Sequence, residues 1–286
     1  MKKVLAYMTE RQVGIEDDST DYLLRRLRSK YPQEFNVQVS TKANPELAKD
    51  ADIVLCRFEI PIKPDFLKAL SKYDDGTRIF INPPETKLNY VDKSYLERFV
   101  GTDILPETII STNPSDLAYF MSQTKPKVVS KPLDENGGRG IKKIEINGQS
   151  ISELEEIARG LTEEGKKKII LQKFIEGVEQ YGDKRINVIF GEPVNAMLRL
   201  PKKGSFLCNL KAGGHMVKTT ITPQDRQILE QTEDFIEEIG ATWVGVDVIG
   251  PYLGEINVSS PGNLYEADIL DKNTKGVEAI INNLRQ

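Results

Sequence analysis

Short apolar runs alternate with amphipathic stretches over the first 82 residues. Four apolar runs predict β-strands, and they cover residues 4–8, 37–39, 51–56 and 78–82. Between them, apolar residues at helical spacing predict helices over residues 19–29 and 65–72. Strands that alternate with helices are typical of an open, mainly parallel α/β sheet.

From about residue 87 the pattern changes to longer segments and paired strands. The predicted strands cover residues 108–111, 128–132, 141–146, 168–174, 183–190, 193–199, 243–249 and 255–258. The predicted helices cover residues 92–99, 115–123 with Ser115 as N-cap, 152–161, 224–239 and 274–284. Because Pro83 and Pro84 interrupt the pattern, we place a boundary near them. This gives an N-terminal α/β domain over residues 1–90 and a second domain over residues 91–286.

Charge and hydropathy narrow the classes of function. The 286-residue chain carries 39 Lys and Arg against 43 Asp and Glu, a net charge of −4. This balance argues against a protein built to coat nucleic acid or an anionic membrane. No apolar run approaches the ~20 residues of a membrane span, and the first run is too short for a signal peptide. We expect a cytoplasmic protein with neither nucleic-acid nor membrane partners.

Histidine and cysteine are scarce. His215 is the single histidine, and Cys56 and Cys208 are the two cysteines. A disulfide scaffold, a cysteine-based zinc site and a site needing two histidines from one chain are therefore not expected. Any enzyme chemistry must depend on carboxylates, lysines, arginines and a bound cation such as Mg²⁺.

A lysine and a glycine-rich segment follow one another at the end of a predicted strand. Lys131 ends the strand, and Gly137, Gly138 and Gly140 follow it. Glycines let backbone N–H groups approach phosphate oxygens closely, and a lysine supplies positive charge. The alternative is an ordinary hairpin with a solvated lysine, which this segment alone favours.

Three oxygen-bearing side chains lie in phase on a predicted hairpin. Glu255 and Asn257 are two residues apart on one strand, so their side chains share a face. Antiparallel pairing would place Asp247 alongside them. Mg²⁺ prefers hard oxygen ligands, so this spacing predicts a magnesium site. A polar edge of a sheet that faces solvent explains the spacing about equally well.

Two further segments carry candidate binding residues. Arg185 and Arg199 lie near the ends of predicted paired strands and could bind carboxylate or phosphate groups. A glycine turn between Lys211 and His215 could close over a nucleotide. The alternatives are exposed strand ends and a mobile surface loop.

Taken in order, these segments resemble the ATP-grasp ligases, and most closely the prokaryotic glutathione synthetases. The matching stretches are residues 130–138, 182–194, 198–201, 209–214, 244–250 and 253–261. The resemblance implies an α/β N-terminal domain followed by two α+β lobes of an ATP-grasp fold. The lobes would cover about residues 110–175 and 176–286.

The resemblance also implies a reaction and a site. ATP and Mg²⁺ (or Mn²⁺) would drive the joining of γ-glutamylcysteine to glycine through an acyl phosphate, with ADP and phosphate released. The substrates would be small amino acids or peptides, and the protein would form a homo-oligomer. The implied nucleotide-binding residues are Lys93 and Lys131 at the phosphates, Gly137, Gly138 and Gly140 in a lid, Gln172, Lys173, Phe174 and Ile175 at adenine, Asp183 near the ribose, Lys184 and Asn209. Arg185 and Arg199 would be catalytic, and Asp247, Glu255 and Asn257 would be the metal ligands.

Two positions depart from the glutathione synthetase pattern. Leu207 and His215 stand where that pattern carries arginines, in the segment expected to cover the substrate. The segment at residues 257–262, Asn-Val-Ser-Ser-Pro-Gly, also resembles the corresponding motif of the ribosomal-protein glutamate ligases and related amino-acid ligases. The alternatives are therefore a ligase for another amino acid or peptide, and a nucleotide-binding protein without ligase activity. The retained Asp247, Glu255 and Asn257 count against the second.

Overall fold

The computed structural model describes residues 1–58, 62–135 and 137–286. Its first sheet is fully parallel, with strand order β2-β1-β3-β4. The strands are β1 (Lys2–Tyr7), β2 (Phe35–Ser40), β3 (Ile53–Cys56) and β4 (Ile79–Ile81). The helices of this region are α1 (Ser19–Lys30), α2 (Pro64–Leu70) and α3 (Pro84–Asn89). The parallel α/β prediction is confirmed for these four strands.

The second sheet is antiparallel, with strand order β5-β8-β6-β7. Its strands are β5 (Thr108–Ser111), β6 (Lys127–Pro132), β7 (Lys142–Glu145) and β8 (Ile169–Lys173). Helices α4 (Pro114–Gln123) and α5 (Ile151–Thr162) pack on it through a shared apolar core. Ser150 and Glu153 form a capping box at the start of α5.

The third sheet is antiparallel too, with order β11-β10-β9-β12-β13. Its strands are β9 (Asp183–Ile189), β10 (Glu192–Leu200), β11 (His215–Lys218), β12 (Trp243–Ile249) and β13 (Tyr252–Asn257). The helices around it are α6 (Val178–Tyr181), α7 (Pro223–Glu238), α8 (Leu264–Asp271) and α9 (Lys275–Arg285). Apolar residues of α7 and of the β12–β13 hairpin share one core.

Several details of the sequence prediction were wrong. The N-cap of α4 is Asn113, whose side chain accepts from the Ser115 N–H, because Pro114 occupies the first helical position. Residues Lys93–Phe99 form a 3-10 helix, and the segment expected to be a loop at His215 is strand β11. The short helices α3, α6 and α8 were not predicted, because each is too brief to show helical periodicity.

One apolar core joins the two ends of the chain. It contains residues of β1, β3 and α1 together with Trp243, Leu264 and several residues of α9. The C-terminal helix therefore packs on the same core as the parallel sheet, and Arg26 of α1 pairs with Glu278 of α9 at 2.6 Å.

Within the described ranges, no helix has both the length and the apolar composition that crossing a lipid bilayer requires.

Candidate active site

A cleft lies between the second and third sheets and collects most of the candidate residues. Those that line it are Lys93, Lys131, Gly137, Gly138, Gln172, Lys173, Phe174, Ile175, Asp183, Asn209, Asp247 and Glu255. They come from both sheets and from the loops that connect their strands. The structure therefore brings together segments that lie far apart in the sequence.

Asp247 lies at the centre of a buried charge cluster. Arg185 donates to both of its carboxylate oxygens, at 2.5 and 2.9 Å. Arg199 reaches Asp247 Oδ1 at 2.9 Å, and the Asn257 amide donates to Oδ2 at 3.2 Å. An ionised carboxylate has about four acceptor positions, so these four contacts satisfy Asp247 fully.

The two arginines lie behind the cleft surface and are held by two carboxylates. Arg199 also donates to Asp183 Oδ2 at 2.5 Å. Among the described residues, the buried Asp183 Oδ1 and Arg199 Nε have no hydrogen-bond partner. Since buried polar atoms are normally satisfied, these two atoms mark positions where a bound molecule can complete the network.

Opposing effects set the pKa values of this cluster. Burial raises the pKa of Asp247, but Arg185 and Arg199 together lower it to about 2. Burial also raises the pKa of Asp183, and there Arg199 opposes the shift incompletely. The pKa of Arg199 is lowered by burial and raised more strongly by Asp183 and Asp247. Arg199 is therefore a fixed positive charge.

Two lysines and one glutamate lie on the cleft side of this cluster. Lys93 begins the 3-10 helix at residues 93–99, and its Nζ lies 3.5 Å from Glu255 Oε1 and 2.5 Å from the Glu135 carbonyl oxygen. Burial lowers the pKa of Lys131, while the nearby Glu255 opposes this effect and Lys93 adds to it. Lys93 thus pairs with Glu255 and Lys131 lies near the same carboxylate, so positive charge remains for an anionic ligand.

The register of β12 and β13 brings the candidate metal ligands together. Asp247 is paired directly with Glu255, and a one-residue bulge follows Asp247. The Asn257 amide nitrogen donates hydrogen bonds to Asp247 and to the Gly245 carbonyl oxygen. Its amide oxygen therefore remains available to coordinate a cation. Two carboxylates and an amide oxygen at one sheet edge fit Mg²⁺, which needs one or two carboxylates besides substrate phosphates.

The end of β8 and the aromatic residues beside it form one wall of the cleft. The Phe174 N–H donates to the Lys127 carbonyl oxygen at 3.1 Å, and its ring packs on Phe206 with centroids 5.8 Å apart. The Gln172 side chain donates to Thr108 Oγ1 at 3.0 Å. Lys173 borders the cleft, but its ammonium group pairs with Glu107 at 2.5 Å on the surface.

The glycine-rich segment after β6 meets the loop around Asn209. Gly138 has a φ of +82°, and a Cβ there would lie 2.7 Å from Asn209 Oδ1. Only glycine allows this approach without strain. Asn136, inside the same segment, is outside the described residues, and so is the Lys211 side chain.

Some candidate residues do not reach the cleft. Lys184 pairs with Asp225 at 2.5 Å on the other face of β9, because adjacent residues of a strand point to opposite faces. Gly140 packs against Pro132 and is absent from the described cleft lining. Asn257 borders a small adjoining cavity that shares Glu255. His215 is exposed at the start of β11, paired in register with Leu200.

Other lining residues were missed by sequence reasoning. Val129, Val178, Phe206 and Cys208 form an apolar wall with Phe174. Burial raises the pKa of the Cys208 thiol to about 12, so it acts as an apolar group. In the sequence, the only signal for these residues was their apolar character next to a glycine turn. Ordinary loops have the same feature, so it does not identify a binding wall.

Comparison with known proteins gives consistent matches. A family model described as the ATP-grasp domain of prokaryotic glutathione synthetase matches residues 92–272. A glutathione synthetase of Gloeobacter violaceus is 36% identical over 230 residues, covering 78% of this chain and 69% of that protein. One of Nostoc sp. is 33% identical over 223 residues, covering 77% and 67%.

Solved structures show the same fold at low sequence identity. A D-cycloserine synthetase has a TM-score of 0.70 and 16% identity, with 98% of this chain and 99% of that chain covered. A RiPP-associated ATP-grasp ligase of Chryseobacterium gregarium, solved with ADP and a leader and core peptide, has a TM-score of 0.69 and 16% identity, with 99% and 96% covered. At this identity the likeness concerns the fold, which is that of ATP-grasp ligases.

Proposed function

This chain belongs to the prokaryotic glutathione synthetase family of ATP-grasp enzymes and is an ATP-dependent ligase, and we propose that it joins γ-glutamylcysteine to glycine. The observation that carries the proposal is the arrangement at the cleft. Lys93 and Lys131 adjoin Glu255, and Arg185 and Arg199 lie directly behind it around Asp247. Positive charge for a triphosphate, oxygen ligands for a cation and guanidinium groups for a carboxylate thus meet in one place.

The reaction we propose has two steps. A carboxylate oxygen of the first substrate attacks the γ-phosphorus of ATP, ADP leaves, and an acyl phosphate forms. The amine nitrogen of glycine then attacks the acyl carbon, phosphate leaves and the nitrogen loses a proton. Lys93 and Lys131 neutralise the phosphate oxygens, and Arg199 stabilises negative charge that develops on the acyl oxygen.

We assign the metal to Asp247, Glu255 and Asn257. These residues would hold Mg²⁺, which would supply positive charge to the phosphate oxygens. The donor atoms support this assignment, since Glu255 is half-buried and keeps one long contact to Lys93 at 3.5 Å. Asp247 already has four contacts, so its share in the site requires that one of them be given up.

The nucleotide site and the domain layout extend the proposal. The backbone at residues 172–175 would read adenine, and the Asp183 carboxylate, whose Oδ1 has no partner among the described residues, would accept from a ribose hydroxyl. Gly137 and Gly138 would cover the phosphates. We propose an N-terminal domain over residues 1–90 and ATP-grasp lobes over about residues 110–175 and 176–286.

An assay of ADP release tests the substrate assignment. We expect ADP release with ATP, Mg²⁺, γ-glutamylcysteine and glycine together, and only background release when either amino substrate is omitted. Mass spectrometry should identify glutathione as the product. Release at background with this pair, together with stimulation by other pairs, would contradict the assignment.

Leu207 favours a second candidate function, a ligase for another amino acid or peptide. Its side chain lines the cleft where an arginine would bind an acidic dipeptide, and His215 is exposed at the start of β11. An apolar wall at this place favours a less acidic donor. A panel of amino-acid and peptide pairs in the same assay separates the two candidates by the pair with the highest kcat/KM.

A further inference from the structure

Two buried basic side chains lie outside the cleft and donate to backbone carbonyls instead of pairing with carboxylates. Arg57 follows β3 and is 3% exposed, and Lys87 lies in α3 and is 1% exposed. Among the described residues, neither has an acidic group within 4.0 Å. Burying a basic side chain without an acidic partner costs free energy, which points to a role for each of them in the folded protein.

Both side chains hold the same loop, residues 258–262, which directly follows Asn257. Arg57 Nη2 donates to the Pro261 carbonyl oxygen, and Lys87 Nζ donates to that of Ser259. Arg57 is itself fixed, since its Nε donates to Thr20 Oγ1 at 3.0 Å and its guanidinium lies 4.1 Å above the Trp243 ring. The Ser260 hydroxyl adds a contact to the Phe58 carbonyl oxygen at 3.1 Å.

The two contacts fix the direction of two N–H groups. In a trans peptide the N–H points opposite to the preceding carbonyl. Because the carbonyls of Ser259 and Pro261 point at Lys87 and Arg57, the N–H groups of Ser260 and Gly262 point away from these two side chains. Neither N–H donates a hydrogen bond within the described part of the chain. Arg185 contacts the same loop, with Nη1 3.4 Å from the Gly262 carbonyl oxygen.

We propose that Arg57 and Lys87 are positioning residues, which hold the 258–262 loop so that the N–H groups of Ser260 and Gly262 bind an anionic oxygen of the carboxylate substrate. The proposal rests on the ligase function above. The loop contains a glycine and has no secondary structure of its own, so its conformation depends on these two contacts.

Steady-state kinetics of Arg57→Met and Lys87→Met test the proposal. We expect KM for the carboxylate substrate to rise by about tenfold or more, because the loop amides lose their orientation. KM for ATP and binding of a fluorescent ADP analogue should stay within about twofold of the original, since Lys93 and Lys131 are untouched. A general loss of structure would instead change all of these constants together.

A matched variant and milder substitutions keep the test decisive. Leu70→Ala removes a fully buried side chain of α2, in a core cluster that contains no residue of the loop. It should lower stability and leave the substrate KM unchanged. If Arg57→Met or Lys87→Met does not fold, Arg57→Lys and Lys87→Gln each keep a hydrogen-bond donor group and should show a smaller rise of the same KM.

The result that overturns the proposal differs from the one that overturns the ligase assignment. Equal shifts of KM for ATP and for the carboxylate substrate, or a substrate KM shift in Leu70→Ala, would show a structural role only. If the original protein does not use γ-glutamylcysteine, the same variants are measured with the pair that the substrate panel identifies. In that case the substrate assignment fails. The positioning role is still tested by comparing the change in KM for the carboxylate substrate with the change in KM for ATP.

Discussion

At the scale of single residues, Asp247 has so many hydrogen-bond and ion-pair partners that it contributes to the stability of the fold as well as to the proposed metal site. Its carboxylate receives Arg185 twice, Arg199 and Asn257. Removing one partner from a buried charge pair costs about 3–5 kcal/mol of folding free energy. A substitution of Asp247 would therefore mix loss of stability with loss of chemistry, and Glu255 is the better residue for a test of the metal site.

Glu255→Ala should lower kcat by at least about a hundredfold at saturating ATP and Mg²⁺, which corresponds to ~2.7 kcal/mol of transition-state stabilisation. The reason is that the variant loses one of two carboxylates at the sheet edge and the charge between Lys93 and Lys131. The measurement is ADP release under these conditions. Glu192→Ala removes an exposed glutamate at the start of β10 and should leave kcat unchanged. Undiminished turnover of Glu255→Ala would refute the metal assignment.

Lys87 should make stability depend on pH. Burial lowers its folded-state pKa from 10.5 to about 7, so between these values the unfolded chain binds more protons than the folded one. Stability must then rise with pH through this group, by at most ~1.4 kcal/mol per pH unit. Urea titrations between pH 7 and 9 should show a steeper rise for the original protein than for Lys87→Met. Parallel pH dependences would contradict the lowered pKa.

At the scale of elements, the sequence predicted the β12–β13 hairpin and which of its side chains share a face. In-phase polar residues among apolar ones gave the shared face of Glu255 and Asn257, and the structure pairs Asp247 with Glu255. Strand β11 was not predicted, because four residues after a glycine turn carry too little periodicity to separate a strand from a loop. The hydrophobic pattern therefore predicted the elements that are long enough to show a clear periodicity. It missed short elements such as β11, which pairing with a neighbouring strand stabilises.

Residues that share one hairpin could be placed together from the sequence, and residues on elements that meet only in the fold could be placed less well. Strand phase and hairpin pairing predict that Asp247, Glu255 and Asn257 lie together, and the structure pairs Asp247 with Glu255. The side chain of Lys184 turns away to Asp225, although Asp183 beside it lines the cleft. Which face of β9 lies toward the cleft depends on how the second and third sheets pack, and this packing cannot be deduced from a single sequence. The aromatic wall of Phe174 and Phe206 was hidden for the same reason.

A contact between β7 and this wall should affect nucleotide release. Lys143 lies 5.5 Å from the Phe174 ring centroid and 5.8 Å from that of Phe206, so one cation contacts both rings of this wall. A cation–π contact at such a site is worth about 0.5–1 kcal/mol. Lys143→Ala should therefore speed ADP dissociation about two- to fivefold. Stopped-flow displacement of a fluorescent ADP analogue measures this rate.

Lys142→Ala is the matched control for this contact. Lys142 is the exposed neighbour on the same strand and points to the opposite face. The dissociation rate should not change in this variant. Equal acceleration in both variants would show that overall charge matters and the aromatic contact does not.

At the scale of the whole molecule, the parallel sheet and the third sheet share a core. Val277, Ile280, Ile281 and Leu284 of α9 belong to the same apolar cluster as Val4, Leu24 and Trp243. The Asp268 carboxylate adds polar links, accepting from Asn195 at 2.7 Å and from the Gly276 N–H at 2.8 Å. Loss of packing at the end of the chain should therefore be felt by the parallel sheet at its beginning.

Ile281→Ala tests this coupling, because Ile281 is fully buried in α9. We expect a loss of about 2–5 kcal/mol of unfolding free energy. Trp243, the single tryptophan, lies in the same cluster, so its fluorescence and far-UV circular dichroism should shift to lower urea concentration together. Ile269→Ala removes an exposed isoleucine of α8, 54% accessible, and should change stability by less than about 0.5 kcal/mol. A circular dichroism transition that moves while the Trp243 transition stays in place would show that α9 unfolds apart from the shared core.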